Sequence, residues 1–201
     1  MNTKTPQISS KISLALLHEG MVDKRGDLVT TSLTMLDLHD LSRSASTFGA
    51  ENFFVIHPSA ALRQLAATLE THWKQGYGAN YNPDRKEALG ILKVLSSFEE
   101  MLDVVEVDSD EPPILVATSA KDGTDRITFD HLRKQLSNNP DRHYIILLGT
   151  GWGMGPELMQ RADLILAPIY GPGEYNHLSV RSAGAIIMDR LMGQREADQQ
   201  N

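Results

Sequence analysis

Six short apolar runs punctuate the chain: KISLALLH (11–18), NFFVIHP (52–58), ILKVL (91–95), ILVAT (114–118), YIILL (144–148) and DLILAPI (163–169). Between them lie segments whose apolar residues recur every three or four positions. Leu38, Leu41, Ala45 and Phe48 form one such face, closed by Gly49; Leu62, Leu65, Leu69 and Trp73 form another, behind a Ser59 cap. Runs so little interrupted by polar residues suit strands covered on both faces. Their alternation with helices predicts an α/β fold, a mainly parallel sheet flanked by helices.

The acidic, Pro-containing DSDEPP (108–113) is the only tempting boundary, and the alternation continues past it. Residues 8–194 therefore read as one domain and 195–201 as a polar tail. MVDKRGDLVTTSLT (21–34) reads as a polar loop with a turn at Arg25-Gly26-Asp27, and KQGYGANYNPDRKEA (74–88) as a second loop, rich in Gly, Asn and Tyr, that ends with Asn82-Pro83 opening a short helix. No run approaches the roughly 20 apolar residues of a membrane span. The opening MNTKTPQISSKISLALLHEG has no cleavage pattern, so we expect no signal peptide. The absence of cysteine excludes disulfides and thiolate metal sites, and the cytoplasm is the expected compartment. A net charge of −7 argues against a general nucleic-acid coating protein but not against an enzyme with a local basic patch.

ILLGTGWGMGPEL (146–158) sets four glycines on alternate positions between an apolar run and a helix opened by Pro156. The spacing is not G-x-G-x-x-G, the next strand ends without a carboxylate, and no G-K-[ST] follows, so neither a dinucleotide nor a P-loop site is indicated. Three loops at the C-terminal ends of strands carry unusual residues: ATSAKDG (117–123), GTGWGMG (149–155) and APIYGPGEYNH (167–177). That edge is where parallel sheets bind ligands. Backbone groups among Leu, Ile and Val suit an adenine. Gly149 is expected to face that ligand, and Gly155 merely to precede the helix.

RSASTFG (43–49), LLGTGWGMGPEL and DLILAPIYGPGEYNHLSVRSAGAIIMDRL resemble the three motifs of the SPOUT, or trefoil-knot, RNA methyltransferases. MVDKRGDLVTTSLTMLDLHD, HWKQGYGANYNPDRKEAL and GPGEYNHLSVRSA are more closely similar to a bacterial SPOUT subfamily of predicted RNA methyltransferases, over residues 11 to 192. The resemblance implies S-adenosylmethionine as cofactor, a deep C-terminal trefoil knot, an RNA substrate (ribosomal or transfer RNA) and a homodimer. It implies that Leu148, Gly149 and Thr150, then Ala167, Pro168 and Ile169, then Leu178, Ser179 and Val180 line the cofactor, with Thr118 and Ser119 as a third wall. Two departures weaken the case for a ribose 2′-hydroxyl acceptor: Gly151 or Trp152 stands where ribose methyltransferases carry Glu, and Ser179 where they carry Asn.

Methyl transfer from a sulfonium is an in-line displacement, so the protein must align the acceptor and, where it is protonated, take its proton. Arg43 is the first functional choice, as an anchor for phosphate or base. Arg181 is a second candidate, with an ion pair to an acidic neighbour as its alternative. Glu174, Tyr175 and His177 are candidate proton acceptors or relays, with loop packing as the competing reading. Asp37, His39 and Asp40 lack a partner motif, and no metal is expected. Trp152, Tyr77 and Tyr81 are candidates for stacking a base, and Lys24, Arg25, Lys74, Arg85 and Lys86 for a phosphate patch. Three functions stay open: methyl transfer to a base or ribose of RNA, a non-catalytic RNA- or cofactor-binding module of the same fold, and methyl transfer to a non-RNA substrate such as protein.

Overall fold

The computed structural model describes residues 10–107 and 111–194. The polar tail and part of the acidic connector lie outside the described residues. The chain runs β1 (Lys11–Leu17), β2 (Met21–Val22), β3 (Leu28–Val29), α1 (Met35–Thr47), β4 (Asn52–Ile56), α2 (Ala60–Lys74), α3 (Tyr77–Tyr81) and α4 (Pro83–Gly90). It continues through β5 (Leu92–Leu95), α5 (Phe98–Glu106), β6 (Ile114–Ala117), α6 (Phe129–Asn138), β7 (His143–Gly149), α7 (Pro156–Arg161), β8 (Leu164–Ile165) and α8 (Val180–Met192).

Six strands form one parallel sheet in the order β5-β4-β1-β7-β6-β8. The chain lays strands outward from β1 to β5, crosses to β6, and returns to set β7 beside β1, so the strand order reverses between β1 and β7. Both central strands are covered on both faces, which is why their sequences show no alternation. Ile12, Leu14 and Leu16 of β1 join Leu38, Leu41 and Ala45 of α1 and Ile187, Met188 and Leu191 of α8 in one apolar cluster. Ala15 and Leu17 point the other way, to Phe98 and Met101 of α5 and Leu158 of α7. Helices α1 and α8 pack closely: a Cβ on Gly184 would stand 2.5 Å from Leu41 Cδ2.

The Ser59 cap falls where the sequence places it, and Thr128 and Asn82 cap α6 and α4 in the same way. Ser59 Oγ accepts from Leu62 N, Thr128 Oγ1 from His131 N, and Asn82 Oδ1 from Arg85 N at 3.0 Å. Four local expectations are revised. Residues 21–29 form a hairpin, because Asp23 Oδ1 accepts from the N–H groups of Arg25 and Asp27 and Gly26 takes φ +91°. The expected second loop contains α3. Leu65 is exposed, and Ala66 occupies the buried position on α2. The last apolar run pairs over only two residues as β8, followed by a single bridge from Leu166 to Ile127.

Candidate functional site

Parallel registers bring the ends of four strands to one edge. Leu17 stands opposite Gly149, Ala117 opposite Leu147, and Ala117 opposite Ile165. Thr118 is fastened to the β7 end, with its N–H and hydroxyl both donating to Leu147 O at 3.2 and 2.8 Å. Leu166 N donates to Ala117 O at 2.8 Å and Ala167 N to Ile127 O at 2.9 Å. Thr118, Gly149 and Ala167 therefore open their loops side by side, next to the point where the strand order reverses.

The alternating glycines answer first to the chain's own hairpin. Trp152 N donates to Val22 O at 3.2 Å, Val22 N to Gly153 O at 2.9 Å, and Gly155 N to Gly20 O at 2.8 Å. Gly151 and Gly153 take φ +60° and +104°, the left-handed region that side-chain-bearing residues avoid. A Cβ on Gly155 would meet Gly20 O at 2.9 Å. One on Gly149 would meet Met154 Cγ at 3.0 Å. The expectation that Gly155 is incidental is thus revised: like Gly149, it is closely approached from within the chain by a side chain and by backbone.

A polar network that no motif of the sequence signals lies at this point. Thr150 Oγ1 donates to Leu17 O at 2.9 Å and, having one proton, accepts from Thr31 Oγ1. Thr31 Oγ1 then accepts from His18 Nδ1 at 3.0 Å, which leaves His18 Nε2 buried without a partner. His57 lies beside it, ring centroids 5.3 Å apart, its Nε2 donating to Thr31 O at 3.0 Å and its Nδ1 accepting from Ser59 N. Burial above all, and the neighbouring His57 next, push the His18 pKa down from 6.5 to about 4, against the opposing pull of Asp37. The available signal was position: LLH and VIHP each put a histidine directly behind an apolar strand.

The residues assigned by resemblance occupy distinct environments. The Leu148 side chain is buried toward Gly184 of α8, so only its backbone can face a ligand. Thr150, Ser119, Ala167 and Ile169 are half-buried, Pro168 buried, and Leu178 exposed. Ser179 caps α8, its Oγ accepting from Ser182 N at 3.2 Å, and Val180 opens the helix. Arg181 Nη1 donates to Asp37 Oδ1 at 3.0 Å and its Nε lies 3.3 Å from Asp40 Oδ2. Asp37 and Asp40 therefore hold Arg181. Among the described residues no group of three or more His, Cys, Asp or Glu is placed to hold a metal ion.

Arg43 is exposed on α1, and among the described residues no hydrogen bond or ion pair engages it. Glu174, Tyr175 and His177 are exposed, with the Tyr175 and His177 rings edge to face at 5.5 Å. Their loop docks on the loop after β6, through Asn176 Nδ2 to Ala120 O at 3.0 Å and the Tyr170 hydroxyl to Asp122. Of the expected phosphate patch, Arg25 is paired with Asp23 and Asp27, Lys74 with Glu70, and Arg85 lies 4.5 Å over the Trp73 ring, leaving Lys24 and Lys86 exposed. Between the glycine loop and the loop after β6 opens a cleft of about 400 Å³. Thr118 and Ser119 border it; none of the other residues assigned to the cofactor does.

This parallel α/β architecture is shared with solved methyltransferases. One is the SpoU methyltransferase AviRb from Streptomyces viridochromogenes in complex with AdoMet: TM-score 0.58, 15% identity, covering 96% of this chain and 60% of that one. At the level of sequence, residues 11–193 match the SAM-dependent RNA methyltransferase family, and the chain belongs to it. An uncharacterized protein of Aquifex aeolicus is 35% identical over 191 residues, 95% of this chain and 93% of that protein. A tRNA (guanine-N(1)-)-methyltransferase of Nitratidesulfovibrio vulgaris is 41% identical over 179 residues, 89% of this chain. The chain spans only 41% of that relative's length. The family places S-adenosylmethionine and RNA as cofactor and substrate class. Among the described residues no helix is long and apolar enough to cross a membrane.

Proposed function

We propose that the chain, one domain over residues 8–194 acting in the cytoplasm, methylates a nucleotide of transfer or ribosomal RNA at the C-terminal edge of its sheet. The observation that carries this reading is the side-by-side opening of the three loops at Thr118, Gly149 and Ala167, at the reversal of strand order. The assigned wall is chemically suited to the cofactor. Thr118, Ser119, Leu148–Thr150, Ala167–Ile169 and Leu178–Val180 include no cationic side chain, so nothing in the set repels a sulfonium, while their backbone groups and hydroxyls can read an adenosine. When bound, S-adenosylmethionine supplies the activated methyl group.

The chain's own tasks are binding, orientation and proton removal. Thr150 is held by Leu17 and Thr31, which fixes the start of the glycine loop. Arg181, clamped between Asp37 and Asp40, fixes the start of α8 and so the Leu178–Val180 segment. Arg43 anchors the RNA. Proton removal falls to Glu174, Tyr175 or His177, which stand exposed on the loop beside the edge. We read the C-terminal part as a trefoil knot, and the return of α8 to the α1 side of the sheet after β8 supports that reading. Leu36 and Leu178, both exposed, flank the Arg181–Asp37 contact, where we place the second subunit of a homodimer. With Ser179 engaged as a helix cap and no Glu in the glycine loop, a base is favoured over the ribose as acceptor. Mapping methylated nucleotides in cells with and without the protein tests this: one tRNA or rRNA base should lose its methyl group, and an unchanged map contradicts the reading.

A further inference from the structure

The cleft between the glycine loop and the loop after β6 is nucleotide-sized and is not accounted for by the cofactor residues. Its volume, about 400 Å³, falls in the range of small-molecule sites. Its floor includes Met154 and Met159, which pack with the cluster on the α5 and α7 face, whereas Val180 and α8 pack on the opposite face.

One wall is Trp152, 54% exposed. An exposed indole on a loose loop would be poorly prepared to bind anything. Here the loop is pinned: Val22 bonds the backbone at Trp152 and at Gly153, and left-handed glycines flank the indole on both sides. The ring is presented with little loop entropy left to lose on contact.

The other wall is cationic. Lys121 is exposed, and among the described residues nothing engages its ammonium. Arg126 gives Nη2 to Lys121 O at 3.1 Å, while its Nη1 is buried with no acceptor. A guanidinium N–H left unmatched in a buried position is costly, and an anionic oxygen would satisfy it. The one carboxylate on this wall, Asp122, already accepts from the Tyr170 hydroxyl. S-Adenosylmethionine, with a sulfonium and an ammonium against one carboxylate, is a net cation, and a wall bearing Lys121 and Arg126 disfavours it. A base with its phosphate uses both walls.

We propose that this cleft holds one unstacked nucleotide of single-stranded RNA, its base against Trp152 and its phosphate between Lys121 and Arg126. The choice of RNA as the ligand rests on the methyltransferase reading above. The site adjoins the cofactor wall through Thr118 and Ser119, so a nucleotide gripped here holds the neighbouring RNA at the sheet edge.

The test is fluorescence anisotropy of a labelled ten-nucleotide oligouridylate on the full chain at several salt concentrations, beside calorimetric titration of S-adenosylmethionine. Trp152→Ala should weaken the oligonucleotide about tenfold, and Trp152→Phe much less, as base stacking requires. Lys121→Gln and Arg126→Gln should each weaken it and lower the salt slope by about 0.7. Cofactor affinity should stay unchanged in all four. Uridine monophosphate should compete where inorganic phosphate at the same concentration does not, which separates a nucleotide from a bare anion. Equal oligonucleotide affinity in the parent and in folded Trp152→Ala and Lys121→Gln overturns the proposal. So does equal competition by inorganic phosphate, or a loss of cofactor matching the loss of RNA, which would make the cleft the cofactor's own. A parent chain that binds cofactor but not the oligonucleotide also overturns it, and leaves the methyltransferase reading standing; a parent that binds neither overturns both.

Discussion

Arg181 Nη1 donates to Asp37 Oδ1 at 3.0 Å, joining residues 144 positions apart. With Asp40 as its second partner, this guanidinium ties the first turn of α8 to the first turn of α1. Asp37 is buried and also accepts from the Thr34 hydroxyl at 2.6 Å, so it is a fixed carboxylate awaiting a cation.

Removing the cation should therefore cost more than the contact itself. Arg181→Ala leaves Asp37 buried and unpaired, and we expect a loss of about 2–4 kcal/mol, less than for a fully buried pair because Arg181 is part-exposed. Asp37→Asn in the same chain should recover part of it. Chemical denaturation of the two single variants and the double variant measures this. Strictly additive losses would show that the two residues do not communicate.

Gly155→Ala is a conservative change by composition and a disruptive one here. The new Cβ would press on Gly20 O and on Leu28 Cδ2, at 2.9 and 2.8 Å, and push the β2–β3 hairpin from the glycine loop. We expect a stability loss of about 1–3 kcal/mol, in the range of overpacked sites. A denaturation midpoint equal to that of the parent contradicts the account of why the glycines alternate.

His18 sets an acid limit on stability. Its pKa is about 4 in the fold against 6.5 when unfolded. The unfolded chain thus binds the proton first, and stability falls as pH drops through that window. The full effect is roughly 3 kcal/mol, complete only below about pH 4. His18→Asn removes the titration, and its amide can donate to Thr31 as Nδ1 does, so its denaturation midpoints should vary less between pH 6.5 and 4. An unchanged acid slope in this variant would mean that other groups carry it.

Arg43 is expected to act on RNA alone. Arg43→Ala should lower methyl transfer by roughly 10- to 100-fold, the worth of a charge-assisted contact, and leave S-adenosylmethionine affinity intact. Arg43→Lys should rescue poorly, because an ammonium lacks the planar fork. Transfer at the parental rate would make Arg43 an ordinary surface residue.

Strand existence and the parallel sheet were legible because β1 and β7 are buried on both faces and carry nearly continuous apolar runs. The cap at Ser59 was legible because it depends on residues a few positions away. The hairpin at 21–29 was not, since its two strands are two residues each and are held by the distant glycine loop. For the same reason the glycines misled: their spacing says that something approaches closely, and only the tertiary fold shows that the chain's own Gly20, Leu28, Thr31 and Met154 are what approaches. The His18–Thr31–Thr150 network joins positions 119 and 13 residues apart, a relation no local pattern encodes. Arg181 was singled out from the chain alone, with its ion pair held as an alternative, and the fold supplies that partner in Asp37.

The central claim is methyl transfer to RNA. It is tested most directly by incubating the purified chain with methyl-labelled S-adenosylmethionine and total RNA from cells lacking the protein. The account predicts label in the nucleic acid that disappears on ribonuclease treatment, is much reduced in Arg43→Ala, and on digestion migrates with a methylated base. Label that resists ribonuclease and follows protein, or cofactor binding without any transfer to such RNA, would contradict it.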